Sequence, residues 1–362
     1  MKAGLVIYAA LETMSGGYLY DRRLVETLRS AGDTVEIISM PWQNYAHHLG
    51  HNFQARWARS LIDLDADVLL QDELNHPSLF RVNLAIRELV TFPILAIVHH
   101  LRSSEEHPQP LRWLYRLVER SYLQTVDGFI WNSETTRQVV QGVAGFSRPG
   151  VVAYPGGDRF EGLPEAEITR RSRRPGARQL LFVGNLIPRK GLHRLIPALG
   201  TLKQAAWTLK VVGDPSVDPG YAKKVLRQVE ETGLVDRIQF LGRLSEDELE
   251  QEWRCSDILV LPSSYEGFGI VTLEGMSFGL PAITSRSGAA HELVEDGVNG
   301  FLVDPANPDA LAKTIWIYLS QPETLLKHSL AARWRFESFP TWDQTTHKIR
   351  QFLLEFQKDS HR

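Results

Sequence analysis

Short apolar runs that end in a glycine or a polar turn recur along this chain, and each is followed by residues at helical spacing. Residues 5–9, 35–38, 68–70, 94–98 and 126–131 form a first series; 180–184, 209–213, 238–242 and 257–261 form a second. Runs this short that do not alternate with polar residues suit strands buried on both faces, as in parallel sheets. Parallel neighbours need crossover connections, usually helices. The pattern therefore predicts an α/β chain of doubly wound parallel sheets. The series is interrupted by an arginine-rich stretch, Arg170, Arg171, Arg173, Arg174 and Arg178 with Pro175 and Gly176, which reads as a linker or exposed loop. With 362 residues the chain is long for one domain and comfortable for two. The expected layout is two Rossmann-like domains, 1–160 and 161–341, facing a central cleft. A helix over 342–362 crosses back to the first domain.

Composition narrows the function. Hydrophobic residues make up 43% of the chain, enough for two cores, and the net charge of −3 argues against nucleic acid as a partner. A single cysteine, Cys255, excludes a disulfide framework and fits a reducing compartment. The apolar start, residues 3–11, is cut short by Glu12 and reads as a first strand rather than a signal peptide. No apolar run approaches a membrane span. The expectation is a cytoplasmic protein.

The chemistry concentrates in residues 263–275, Ser-Ser-Tyr-Glu-Gly-Phe-Gly-Ile-Val-Thr-Leu-Glu-Gly. A buried strand precedes it and a short helix follows. Glu266 is thus predicted on a strand-to-helix turn and Glu274 about two turns into the helix. A helix start gathers unpaired N–H groups at a positive dipole end, which suits phosphate. Gly267 and Gly269 let a ligand approach the backbone closely. Two carboxylates beside an anion site make sense as acceptors for hydroxyls, and the combination points to a sugar nucleotide.

Glu266-Gly267-Phe268-Gly269 with Glu274 resembles the paired-glutamate signature of the retaining glycosyltransferase family 4 (glycosyl transferases group 1), whose members have the GT-B fold. The resemblance covers nearly the whole chain, specifically in the second half and loosely in the first. It implies that Glu266 holds hydroxyls of the donor sugar and Glu274 the ribose diol. It also implies that N–H groups around Phe268, Ile270 and Val271 face the diphosphate. The segment Gly184-Asn185-Leu186-Ile187-Pro188-Arg189-Lys190-Gly191 resembles the family's Lys-Gly motif, so Lys190 would neutralise the diphosphate with help from Arg189. Asn185 stands where the family commonly has a basic residue, and Pro155 where it usually has an asparagine. Gly16 and Gly17 form a glycine turn near the donor phosphates or the acceptor.

Of the two histidines that end the 94–98 strand, His99 matches the family's active-site histidine better than His100. A histidine there could donate to a developing oxyanion or shuttle a proton. Asp72 and Glu73 follow a strand's carboxyl end and, with His100, are candidates for acceptor contacts. His47, His48 and His51 cluster, and His47 and His51 have the i, i+4 spacing of some zinc ligands, but no third ligand is evident, and ordinary surface histidines are the expectation. Asp63-Leu64-Asp65-Ala66-Asp67 looks like a metal-diphosphate motif but precedes its strand, at the wrong end of the sheet. Residues 111–123 are amphipathic. The stripe Leu111, Leu114, Tyr115, Val118 and Tyr122 is expected to pack on the sheet, with Arg112, Arg116 and Arg120 in water. The alternative is a basic membrane-surface helix, a peripheral contact that would suit a lipid-linked acceptor.

The resulting expectation is a hexosyltransferase-like enzyme of carbohydrate biosynthesis. It would transfer a sugar from a UDP- or GDP-type donor to a hydroxyl acceptor (sugar, glycolipid or polysaccharide), with retention by a front-face mechanism. Neither metal nor cofactor is expected beyond the nucleotide sugar itself. The alternatives are a catalytically silent sugar-nucleotide-binding protein and a GT-B sugar-nucleotide epimerase.

Overall fold

The computed structural model describes residues 1–360; positions 361 and 362, at the end of the expected last helix, lie outside the described residues. Two compact units are present, one built from Met1–Gly156 together with the chain from Pro340 onward, the other from Gly157–Phe339. The first contains strands β1 (Lys2–Tyr8), β2 (Thr34–Met40), β3 (Val68–Asp72), β4 (Ile94–Val98), β5 (Gly128–Trp131) and β6 (Gly150–Val152). They form one sheet in the order β2-β1-β3-β4-β5-β6. The second contains β7 (Arg178–Val183), β8 (Trp207–Val212), β9 (Ile238–Gly242), β10 (Ile258–Leu261), β11 (Ala282–Ser285) and β12 (Gly300–Val303), ordered β12-β11-β10-β7-β8-β9. Every named pairing is parallel. Both are doubly wound α/β sheets of the GT-B architecture.

The cause is visible in the strands. All five residues of β3, all five of β4 and all four of β10 are buried, as non-alternating apolar runs require when helices cover both faces. Each sheet has a point where the winding reverses, between β1 and β3 in the first and between β7 and β10 in the second. Crevices at the carboxyl ends of strands open at such points. The Trp342–Ser360 helix packs on the Gly16–Ser30 helix within the first unit. There Arg350 reaches the Asp33 carboxylate at 2.6 Å, which also takes the N-terminal amine at 3.0 Å.

Several local expectations change. Gly16 and Gly17 are not a free turn but the first residues of the Gly16–Ser30 helix, whose N-cap is Ser15. The arginine-rich stretch is in part the exposed loop expected, over residues 173–177. Arg171 is the exception: it lies in the Glu165–Ser172 helix, is buried and donates to the Gly279 carbonyl at 3.0 Å. The buried Asp257 takes the half-exposed Arg174 at 3.2 Å and the buried Arg178 at 4.0 Å, as a buried carboxylate requires. His48 and His51 are buried rather than on the surface. His48 stacks on Tyr8 at 4.1 Å and accepts the Gln43 N–H, and His51 Nδ1 pairs with Ser78 Oγ at 2.9 Å. Burial holds the His48 imidazole down at about 4, so it stays neutral. No helix among the described residues is long and apolar enough to cross a membrane.

Candidate functional site

The groups singled out by sequence gather at the reversal point of each sheet. In the second unit, the chain leaving β7 passes through a short 3-10 turn, Pro188–Lys190, and reverses at Gly191 with φ 75°. Only glycine fits there, since a Cβ would stand 2.0 Å from the Pro262 carbonyl oxygen. The chain leaving β10 runs alongside: Ser264 N–H donates to the Arg189 carbonyl at 2.8 Å, and Arg189 Nη1 donates to the Tyr265 carbonyl at 2.9 Å. Glu266 is pinned by its own backbone, whose carbonyl accepts the Ala289 N–H at 2.9 Å.

This clamp places Lys190 Nζ 2.7 Å from Glu266 Oε1 and Arg189 Nη1 4.0 Å from Oε2, with the Glu266 side chain only 9% exposed. Burial by itself pushes the Glu266 carboxyl up. Lys190 and Arg189 outweigh it and hold the group down at about 2. Glu266 is therefore a fixed anion, an acceptor of hydrogen bonds, beside two cations that exceed its charge.

Directly after it, Gly269 adopts φ 100° and starts the Ile270–Ser277 helix with no side-chain cap. The positive end of that helix thus lies a few residues from Glu266, the partner of Lys190. Glu274 is its fifth residue, a little over one turn in rather than two, because the helix starts at Ile270. The Glu274 side chain is buried and its Oε1 lies 3.2 Å from Arg159 Nη1. Arg159 also reaches Glu246 at 2.8 Å. Burial raises the Glu274 carboxyl, and Arg159 offsets only part of that rise.

In the first unit, β1 is followed by Ala9, whose φ of 53° is a strained value for a residue with a side chain. Beside it, Asp72 ends β3 and His99 follows β4. His99 Nε2 lies 3.3 Å from Oδ1 of Asp21, a residue of the Gly16–Ser30 helix that is wholly buried. Burial lowers the His99 pKa, but Asp21, Asp72 and Glu73 overturn that and carry it up to about 9. His99 is an imidazolium at neutral pH. Gly17 matters here: a Cβ on it would come within 3.0 Å of His99 Cδ2, so the glycine lets the helix start lie against the ring. His100 diverges, pairing with Glu105 at 2.9 Å.

Asp72 and Glu73 are both buried, Asp72 accepting the Leu74 N–H at 2.9 Å and Glu73 lying 3.0 Å from His76 Nδ1. Burial carries the Asp72 carboxyl up to about 7 and Glu73 to about 8. As placed, these two shape the electrostatics around His99. Among the described residues, two sets of side chains could share a cation, Asp21–Asp72–His99 and Glu73–His76–Glu119, each with three donor atoms within 4.8 Å.

The structure thus brings Arg189, Lys190, Glu266, Gly267, Phe268, Gly269, Ile270, Val271 and Glu274 into one neighbourhood of the second unit. It brings Gly17, Asp72 and His99 into one of the first. Sequence reasoning missed Asp21 and Arg159. Asp21 was detectable, since it lies on the same stripe as Leu24, Val25 and Leu28, an acid on an apolar face. Nothing in the sequence around Arg159 marks its partner 115 residues away.

Comparison with known proteins agrees with the fold. Residues 165–335 match the family described as glycosyl transferases group 1. An uncharacterized glycosyltransferase of Methanocaldococcus jannaschii is 34% identical over 176 residues, 48% of this chain and 47% of that one. The chain spans about half the length of several curated relatives that it matches. Among solved structures, sucrose-phosphate synthase from Thermosynechococcus elongatus superposes with a TM-score of 0.84 at 20% identity, covering 98% of each chain. The Anabaena protein HepE in complex with UDP and glucose superposes with a TM-score of 0.77 at 20% identity, covering 98% of this chain and 100% of that one. The match to the glycosyl transferases group 1 thus spans almost all of the second unit, Gly157–Phe339, and none of the first.

Proposed function

We propose that this chain is a retaining, metal-independent glycosyltransferase that moves a sugar from a nucleoside-diphosphate sugar to a hydroxyl acceptor. One observation carries the reading. At the reversal point of the second sheet, an ionised Glu266 is clamped between Lys190 and Arg189, beside the uncapped positive end of the Ile270–Ser277 helix. An anionic diphosphate meets the cations and the helix end, while the hydroxyls of a sugar find a carboxylate that stays charged. The match over 165–335 and the UDP-glucose complex of the HepE structure support a UDP-type donor.

In the reaction, the bond from the anomeric carbon to the leaving diphosphate oxygen breaks as a bond to the acceptor oxygen forms on the same face. The acceptor proton passes to the departing phosphate oxygen. The protein then supplies position and charge. Lys190 and Arg189 neutralise the leaving diphosphate, Glu266 orients the sugar, and Glu274 with Arg159 receives the ribose hydroxyls. His99, held protonated by Asp21, donates a hydrogen bond to the donor sugar. These cations supply the charge that a metal would otherwise bring. Nucleoside-diphosphate release, measured for UDP-, GDP- and ADP-sugars with and without a cell extract as acceptor source, tests the reading. Release that needs extract and is indifferent to a chelator is the expected result. Binding without release would favour a silent sugar-nucleotide-binding protein, and rescue of chelated enzyme by manganese would overturn the metal-free mechanism.

A further inference from the structure

The Gln109–Leu123 helix departs from its expected packing. Its buried face is Tyr115, Val118, Glu119, Tyr122 and Leu123. Leu111 and Leu114, expected in that stripe, are exposed at 37% and 36%, and Trp113 and Leu117 stand out further at 66% and 48%. The helix is nevertheless firmly seated. Tyr115 lies edge-on to Tyr45 at 4.7 Å and to His107 at 4.8 Å, and Glu119 accepts the Ser103 N–H at 2.9 Å. The exposed apolar groups are therefore a second face and not a slipped register. Trp113, Leu114 and Leu117 form one outward strip, and Arg112, Arg116 and Arg120, all exposed, flank it at i, i+4 spacing. The one acid of the helix, Glu119, is buried, so this face is purely basic in a chain whose net charge is −3.

An exposed tryptophan and leucines beside three arginines match the surface of an anionic bilayer, where apolar groups enter the acyl boundary and arginines meet lipid phosphates. A contiguous apolar strip of this kind is uncommon on a surface meant only for water. The helix starts shortly after β4, at the carboxyl edge of the sheet, and that is the edge where His99 stands.

We propose that this face docks the chain on an anionic lipid bilayer and that the acceptor hydroxyl is carried by a membrane lipid. The acceptor half rests on the glycosyl-transfer reading; the docking half is tested without any donor. The full chain is sedimented with vesicles of phosphatidylcholine, with or without phosphatidylglycerol. Binding is expected only with the anionic lipid, and it should weaken as salt rises. Replacing all three arginines, R112E/R116E/R120E, should lower partitioning by on the order of a hundredfold, at roughly fivefold per arginine. W113A/L117A should lower it by about tenfold or more. Unchanged nucleotide binding by calorimetry would show that both variants are folded. Wild-type protein that ignores anionic vesicles, or variants that bind as wild type does, would overturn the docking. So would a dimer in sedimentation equilibrium that W113A/L117A dissolves while vesicles have no effect, since the face would then join two copies. Labelled donor sugar should appear in the lipid phase of membrane-extract vesicles. Docking with label only in water-soluble product would refute the lipid acceptor. Docking without nucleotide release would instead refute glycosyl transfer.

Discussion

Replacing Lys190 with methionine tests the clamp on which the donor site is built. Glu266 is 7% exposed, and its carboxyl is held at about 2 against an ordinary 4.5. At about 1.4 kcal/mol per unit, the ionised carboxylate favours the folded second unit by about 3 kcal/mol at neutral pH. The shift is downward, so this stability is present above pH 4.5 and is lost as pH falls through 2. Without Lys190 the burial cost is met by Arg189 alone, at 4.0 Å, and most of the 3 kcal/mol disappears. Hydrogen exchange on the amides of β7 and β10 reads the stability of this unit in the intact chain, and protection there should fall by about a hundredfold. Combining Lys190→Met with Glu266→Gln should recover part of the loss, giving a coupling of about 2 kcal/mol. A loss in protection under threefold, or a coupling near zero, would mean that the two charges are solvated and that the clamp does not exist.

Gly191→Ala places a Cβ 2.0 Å from the Pro262 oxygen at φ 75°, so it should cost at least about 3 kcal/mol in urea unfolding. His99 is raised to about 9 from 6.5, so its contribution to stability is complete below pH 6.5 and is lost as pH rises through 9. The His99→Gln variant should lack the corresponding decline in the stability of the first unit, and wild-type turnover should fall above about pH 9. Glu274→Ala should weaken nucleotide-sugar binding in calorimetry by roughly 2–4 kcal/mol, the loss expected when a buried hydroxyl loses its acceptor. Unchanged affinity would remove Glu274 from the donor site.

How much of this could be read beforehand depends on the range of the interaction involved. Strands β3, β4 and β10 were legible because burial on both faces leaves a local mark, an unbroken apolar run. The Gly269 helix start and Glu266 on its turn were legible for the same reason, since spacing along the chain sets them. Leu111 and Leu114 were misread because periodicity shows that a face is apolar but not what lies against it. Arg171 was misread because the carbonyl that it reaches, Gly279, lies 108 residues along the chain.

The order of local elements and the kind of chemistry at residues 263–275 are therefore properties of the chain itself, written in neighbours within a few residues of one another. Which charges meet is not. Lys190 with Glu266, Arg159 with Glu274 and His99 with Asp21 are 76, 115 and 78 residues apart. They are joined only because folding brings separate strand ends, helices and a connecting loop together in space. Coulomb energy depends on distance in space and on burial, and only folding sets either.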